Sequence, residues 1–307
     1  MTTLLTSSPG VQRHRGALPP SRQARRRNLA GALYAAPMAV VVIVLFVVPL
    51  GLMIWMSVNH WPLLGASEPN GLDNYRALRD PLFGRALVFT LKYTVLTTVV
   101  LGLVSWGLAL LVQDPRPGMR LLRTVYFLPV SVGLASASLL FYAFFNDTGS
   151  PLNVVARWLH VGDIAWLGTG DNALYSTIAM TTWRFAGYYM IILMIGLQSI
   201  NPLIYEAARS DGAGSLQIMR QITLPLLRPT IALMLVLLVT NSLLTFDQFF
   251  ILTGGRYGTA TVVIDTYREA FTSQDLGRAS AISVALLAVL IVINGIQLRL
   301  LRRGDRR

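Results

Sequence analysis

Residues 34–55 read YAAPMAVVVIVLFVVPLGLMIW, a run without a single charge. At 1.5 Å per residue a helix over this run is about 33 Å long, enough to cross a hydrocarbon core roughly 30 Å thick. A buried helix of a soluble protein would need an apolar run of only about 10–14 residues. A cleavable leader is the other reading, but its apolar core would span about 7–15 residues, and here a basic stretch of 33 residues precedes the run. The run is therefore expected to be a retained helix. Working outward, five further apolar runs of similar length follow: Ala86 to Val112, Thr124 to Phe145, Ala173 to Gln198, Thr230 to Phe250 and Ala279 to Leu298. The expected fold class is an all-α polytopic membrane protein. Its six transmembrane helices lie at about 34–55, 86–112, 124–145, 173–198, 230–250 and 279–298, forming a domain over 34–298 between basic tails at 1–33 and 299–307.

The composition agrees with that reading. Of 307 residues 54% are hydrophobic and 13% charged, against about 25% charged in soluble domains. There is no cysteine, which excludes disulfides, thiolate metal sites, haem attachment and cysteine nucleophiles. The net charge of +12 would suit a phosphate-binding surface, but the basic residues are not gathered on one. Seventeen of the 26 lie in the two tails and in the segments 113–123 and 199–229, seven lie in the alternate loops, and Lys92 and Arg184 fall within spans. Excess Lys and Arg mark the cytoplasmic side, so both termini are expected there, in contact with anionic lipid. This is orientation information, and no nucleic-acid partner is expected.

Several chemistries are absent. A phosphate-binding loop of the Walker type needs a lysine after a glycine at the start of a helix, and the single lysine, Lys92, follows Leu91 inside a span. His14, His60 and His160 are scattered without ligand spacing, and the cluster Gly254-Gly255-Arg256-Tyr257-Gly258 reads as a turn.

Residues 201–229, NPLIYEAARSDGAGSLQIMRQITLPLLRP, interrupt the apolar pattern. Asn201 can cap a helix through its side-chain oxygen, and Pro202 suits the first helical position, so a helix of about two turns is expected. Ala207 and Ala208 leave a thin flank, and Gly212 allows the chain to turn without a Cβ penalty. Ser215 can cap a second short helix ending near Pro225. The hairpin is too polar to insert. It lies on the inner surface either as a partner-free amphipathic hairpin or as a short helix offered to a groove of a partner, a recurrent mode of recognition.

Here the chain resembles the inner-membrane permease subunits of bacterial ABC importers. Glu206, Ala207 and Ala208, then Gly212 after three residues, then Ile222, Leu224 and Pro225 match that family's signature at every spacing, and Asp211 and Ala213 are similar to its carbohydrate-uptake branch. Gly71-Leu72-Asp73-Asn74-Tyr75, Asp80-Pro81, Phe83, Gly149, Asn153, Trp183, Gly187 and Leu252-Thr253-Gly254-Gly255 extend the likeness over nearly the whole chain, the last favouring the MalF or UgpA type among paired permeases. The resemblance implies a type I importer permease fold in the bacterial plasma membrane, with coupling helices around Glu206 and Gly212 docking a separate ATPase dimer. It implies a heterodimer with a second permease, an extracytoplasmic solute-binding protein and alternating access. ATP and Mg would be used by the ATPase, no cofactor would be bound by this chain, and no catalytic residue is expected in it.

Polar groups within spans are candidates for the solute path, since a charge at the bilayer centre costs roughly 3 kcal/mol on insertion scales. In span five Asn241, Thr245 and Gln248 fall at i, i+4 and i+7, one stripe of a continuous helix, with Asp247 about 120° away. The alternative is hydrogen bonding to the second permease. Asp247 stays a candidate because the Phe246-Asp247 pair resembles the family's, and Arg184, with its neighbour Trp183, is a candidate if it lies about 17 Å deep rather than near the surface. Lys92 is expected to snorkel. The implied cargo is a sugar or sugar-like solute. Arg184 is compatible with glycerol 3-phosphate or its diesters. A stand-alone secondary transporter would need inverted repeats or a proton-relay chain, and a membrane enzyme would need clustered acid, base or metal ligands; neither pattern is seen.

Overall fold

The first helix, α1 (Tyr34–Met56), contains one wide π turn at Ile43–Val47. The structure is a computed structural model that describes residues 34–114, 116, 118–146 and 149–302. The tail 1–33, with His14, and residues 303–307 of the C-terminal tail lie outside the described residues. The chain divides into two units at Leu52 and Met53. The first holds most of α1, and the second holds every element below.

Helix α2 (Pro81–Val112) begins five residues before the apolar run because Asp80 caps it, accepting from Leu82 N at 2.8 Å, with Pro81 at the first helical position. Met119–Phe127 forms α3 and Leu134–Phe145 forms α4. Pro151–Trp158 is a short α5. Helix α6 (Gly170–Gln198) is capped by Thr169 and lies at the centre of the second unit, more deeply buried than α2 or the last helix. Its partners on α2 are apolar, with Tyr93, Leu101, Ala109 and Val112 packed among Leu174, Ile178, Tyr189, Leu193 and Leu197. Helix α7 (Pro202–Ser210) leads to α8 (Ser215–Ile218), which runs through a π turn at Met219–Thr223 into α9 (Leu224–Leu243). Two short helices, α10 (Asp247–Leu252) and α11 (Val262–Tyr267, extended by a π turn at Arg268–Thr272), precede α12 (Leu276–Arg302). A small hairpin of β1 (Asn59–His60) and β2 (Glu68–Pro69) sits beside α12. Asn74 ties that corner together by donating to the carbonyls of Ser57 and Asn59 at 3.0 and 2.7 Å.

Two of the six expected spans are not continuous. The third is broken: α3 and its 3-10 extension at Leu128–Ser131 meet α4 at 93°. Pro129 has no N–H to donate and its ring disfavours the preceding helical carbonyl, while Val132 and Gly133 are extended. The fifth starts earlier than residue 230, because Pro225 and Pro229 are both accommodated within α9, and it stops at Leu243 rather than reaching Phe250. The second short helix of the hairpin therefore does not end near Pro225 but continues into the span. Five described helices are thus long and apolar enough to cross a membrane, and six crossings require the bent pair to count as one.

Candidate functional site

The hairpin after α6 is built as its sequence implies at the start and differently at the end. Asn201 accepts from Leu203 N at 3.0 Å and opens α7. At its far end Ala213 N donates to Ala208 O at 2.9 Å and Gly212 N to Arg209 O at 3.1 Å, the paired bonds of a Schellman close. Gly212 has φ +79°, a left-handed conformation in which a Cβ is strained. Glu206, Ala207, Asp211 and Gly212 are exposed and Ala208 half-buried, so one rim of the motif faces outward. Ile222, Leu224 and Pro225 lie at the end of the π turn and the start of α9, and the Tyr205 hydroxyl meets that of Thr223 at 3.3 Å, bolting α7 to this base. Leu203 (65%) and Leu216 (71%) are also exposed. Motif spacing singles out neither leucine, although two apolar residues in a polar loop are a usable signal of a covered face.

The polar stripe of span five does not exist as a stripe. The helix ends after Leu243, and Thr245 and Phe246 are non-helical. The Thr245 hydroxyl donates to Gln248 Oε1 at 2.7 Å, and the Thr245 carbonyl accepts from Thr261 Oγ1 at 2.9 Å in place of a helical partner. The break nonetheless brings Asn241, Thr245, Asp247 and Gln248 together on one cavity of about 150 Å³. Three groups from other helices complete it, none of them marked by any motif: Tyr93 of α2, bonded to Thr181 of α6 at 3.0 Å, and Tyr189 of α6, which accepts from Asn241 Nδ2 at 3.3 Å. Single hydroxyls within apolar runs are the only sequence signal for them. The cavity lining contains no Lys or Arg, and the described residues include no group of His, Asp and Glu able to hold a metal ion.

Arg184 and Trp183 stand elsewhere. Arg184 donates to Val132 O through Nε at 3.0 Å and Nη2 at 2.7 Å, and to Val130 O at 3.4 Å, while its guanidinium lies 4.5 Å from the Phe185 ring centre. It is buried and satisfies the carbonyls freed where span three breaks. Trp183 packs on Phe141 at 5.1 Å. Beside them Gly187 lets α3 cross α6 in contact: a Cβ there would sit 2.8 Å from Phe127 N and closer still to the Tyr126 carbonyl. Lys92 pairs with Asp171 at 2.6 Å, both partly exposed, so its ammonium ends on a carboxylate rather than free at the surface.

At the end of the bundle remote from the hairpin, Asp80, Asp265, Glu269 and Arg278 line a small cleft. Burial pushes the Asp265 carboxyl above its usual value, the charge of Glu269 adds to this, and Arg268 partly opposes it.

The family described as "Binding-protein-dependent transport system inner membrane component" matches residues 115–306, which takes in the hairpin, α6 and the cavity lining other than that from α2. The chain belongs to this permease family. The permease is 31% identical over 280 residues to the probable ABC transporter permease protein YurN of Bacillus subtilis (strain 168), covering 89% of this chain and 96% of that one. It is 28% identical over 277 residues to AmyD of Thermoanaerobacterium thermosulfurigenes, a probable starch degradation products transport system permease protein, covering 89% and 94%. Its fold matches a chain of a solved bacterial ABC transporter involved in the import of the acidic polysaccharide alginate, with a TM-score of 0.77 at 24% identity over 92% of this chain and 99% of that one. The predominantly helical architecture is thus the type I ABC importer permease fold, and the permease is a multi-pass protein of the plasma membrane.

Proposed function

We propose that this permease provides one half of the solute path of an ATP-driven, binding-protein-dependent importer, and that its cargo is a sugar or sugar-like polyol. The observation that carries the cargo class is the cavity at the two helix breaks. It offers hydroxyls, amides and one carboxylate beside aromatic rings, with no cation in its lining. Small-molecule sites combine apolar walls with a few placed polar groups in this way. The cargoes in the names of relatives, starch degradation products for AmyD and trehalose/maltose for MalF of Thermococcus litoralis, support the same class. Glycerol 3-phosphate and its diesters fit less well, because the buried cation near the cavity, Arg184, is spent on backbone carbonyls.

In this reading both termini are cytoplasmic and the hairpin is the coupling region. Glu206, Ala207, Ala208, Asp211 and Gly212 dock a separate ATPase dimer, with Leu203 and Leu216 filling apolar recesses of it, while Ile222, Leu224 and Pro225 join the hairpin to α9. A second permease completes a heterodimer, and a solute-binding protein delivers cargo at the opposite end. ATP and Mg act on the ATPase, and this chain binds no cofactor. Closure of the ATPases moves the hairpin, and α9 carries that movement to the cavity in alternating access. Asn241, Thr245, Asp247 and Gln248 contact the cargo there, whereas Trp183 and Arg184 act one layer behind. The test is uptake by proteoliposomes holding the whole complex, with neutral sugars and glycerol 3-phosphate compared and ATP present or omitted. ATP-dependent sugar accumulation is expected. Uptake that persists without the ATPase would assign the chain to stand-alone secondary transport.

A further inference from the structure

Beside the cavity runs a line of four aromatic rings that the cavity alone does not require. Phe246, which lines the cavity, stacks on Phe250 with centroids 4.8 Å apart and planes at 20°. Tyr267 of α11 closes on both, at 5.4 Å from Phe246 and 5.2 Å from Phe250, and Phe271 follows Tyr267 at 4.9 Å. Phe246 is half-buried, and Phe250, Tyr267 and Phe271 are 41%, 37% and 57% exposed. Phe246 lies in the break before α10, Phe250 on α10, Tyr267 at the end of α11 and Phe271 in the π turn that follows it. The ladder therefore starts on an open face and ends on the cavity wall.

We propose that this ladder is a binding track for the apolar face of a neutral sugar ring, along which cargo passes between the open face and the cavity; the proposal rests on the sugar reading above. A pyranose presents axial C–H groups on one face and hydroxyls around its edge. Aromatic faces bind the first without desolvating the second, and they do so at several positions in succession because every ring offers the same surface. The polar atoms needed at the inner end are in place, since Asp247 follows Phe246 in the chain and lines the same cavity with Thr245 and Gln248. Continuity with that cavity is what distinguishes the ladder from the scattered aromatics of a lipid-facing belt. Lipid or a neighbouring subunit would need only an apolar surface, whereas a sugar needs the flat π face.

The experiment uses that difference. Tyr267→Leu/Phe271→Leu keeps the surface apolar and removes the rings, and Tyr267→Trp/Phe271→Trp keeps the rings. Each is assembled as the complete importer in proteoliposomes, with radiolabelled trehalose, maltose and raffinose as probes and co-purification of the other subunits as the measure of assembly. The leucine pair should lose roughly 5- to 20-fold in uptake rate with assembly at the wild-type level, and the tryptophan pair should retain it. If the wild-type complex accumulates none of the three sugars, the sugar reading falls and the ladder with it. If it accumulates one and the leucine pair matches it, the ladder alone is overturned. If the leucine pair fails to assemble, the face is a subunit contact and the ladder is likewise overturned.

Discussion

Gly187→Ala is expected to loosen the crossing that holds span three against α6. A Cβ at this position would lie 2.8 Å from Phe127 N and nearer to the Tyr126 carbonyl oxygen, and both are backbone atoms that no rotamer change can move. The α3 segment must retreat by about 1 Å to restore contact distance, a forced displacement of the kind that costs roughly 1–3 kcal/mol. The same retreat carries Val130 and Val132 away from Arg184. Contacts now at 2.7 and 3.0 Å would open to nearly 4 Å, beyond about 3.2 Å for a working N–H···O bond. Interhelical hydrogen bonds in membranes are worth about 0.6 kcal/mol on average and about 1.7 at most, so the total loss is roughly 2–5 kcal/mol. At about 2–4 °C per kcal/mol this lowers Tm by about 4–20 °C. The assay is thermal unfolding of the purified importer followed by tryptophan fluorescence, with Gly102→Ala as control, since its nearest neighbour is Met234 Cε at 4.0 Å. Arg184→Leu should destabilise the wild type and add little in the Gly187→Ala background, because the two changes break the same contacts. A Gly187→Ala protein that melts with the wild type, or strict additivity with Arg184→Leu, would show that the crossing and the Arg184 contacts are not one unit.

Other outcomes test the remaining parts of the molecule. Gly212→Pro, which cannot adopt φ +79°, is expected to abolish uptake while membrane insertion and yield are retained; normal uptake would remove the coupling role of the hairpin. Asn241→Leu deletes the amide that donates to Tyr189 and one polar group of the cavity, and should reduce sugar uptake about 10-fold with little change in assembly; unaltered uptake would take Asn241 off the path. Asp265 has a raised pKa in the folded protein, so its contribution to stability is fully present below its unfolded pKa near 3.8 and is lost as pH rises through the folded value. Asp265→Asn should therefore raise Tm at pH 7 and flatten its dependence on pH above the unfolded value near 3.8; an unchanged slope would show that burial of this carboxyl has no energetic consequence.

Much of this architecture is legible in residue order alone. Charge-free runs such as 34–55 specify membrane helices because length and apolarity are the two quantities a bilayer selects. The entry to the hairpin is legible too, since Asn201, Pro202 and Gly212 each meet a local backbone requirement that does not depend on distant contacts. The end of the hairpin is not, because Pro225 and Pro229 look like punctuation in the sequence. Instead Pro225 follows the π turn at Met219–Thr223 and Pro229 lies inside α9, so the helix runs on through both. The convergence of Tyr93, Thr181 and Tyr189 on Asn241 is not legible either, because a helical repeat orders residues on one helix and carries no information about which helices meet.

The two broken spans explain why periodicity fails where it does. Within a bilayer a helix can stop only if its freed carbonyls find donors, since an unsatisfied group there costs several kcal/mol. At the first break the donor is Arg184, 52 residues away from Val132, and at the second it is Thr261, 16 residues from Thr245. Pro129 alone announces one break in the sequence, and nothing local announces the other. Residues from both breaks, Leu134 and the stretch 244–248, then line the same cavity. Irregular backbone at membrane depth is tolerated where protein buries it or where it lines a cavity, and here it does both. The side chains that satisfy the breaks are thus conditions for the cavity to exist. By this reasoning Arg184 and Thr261 govern its shape without touching its contents, which is why a charge in a span points to the right region and to the wrong layer of it.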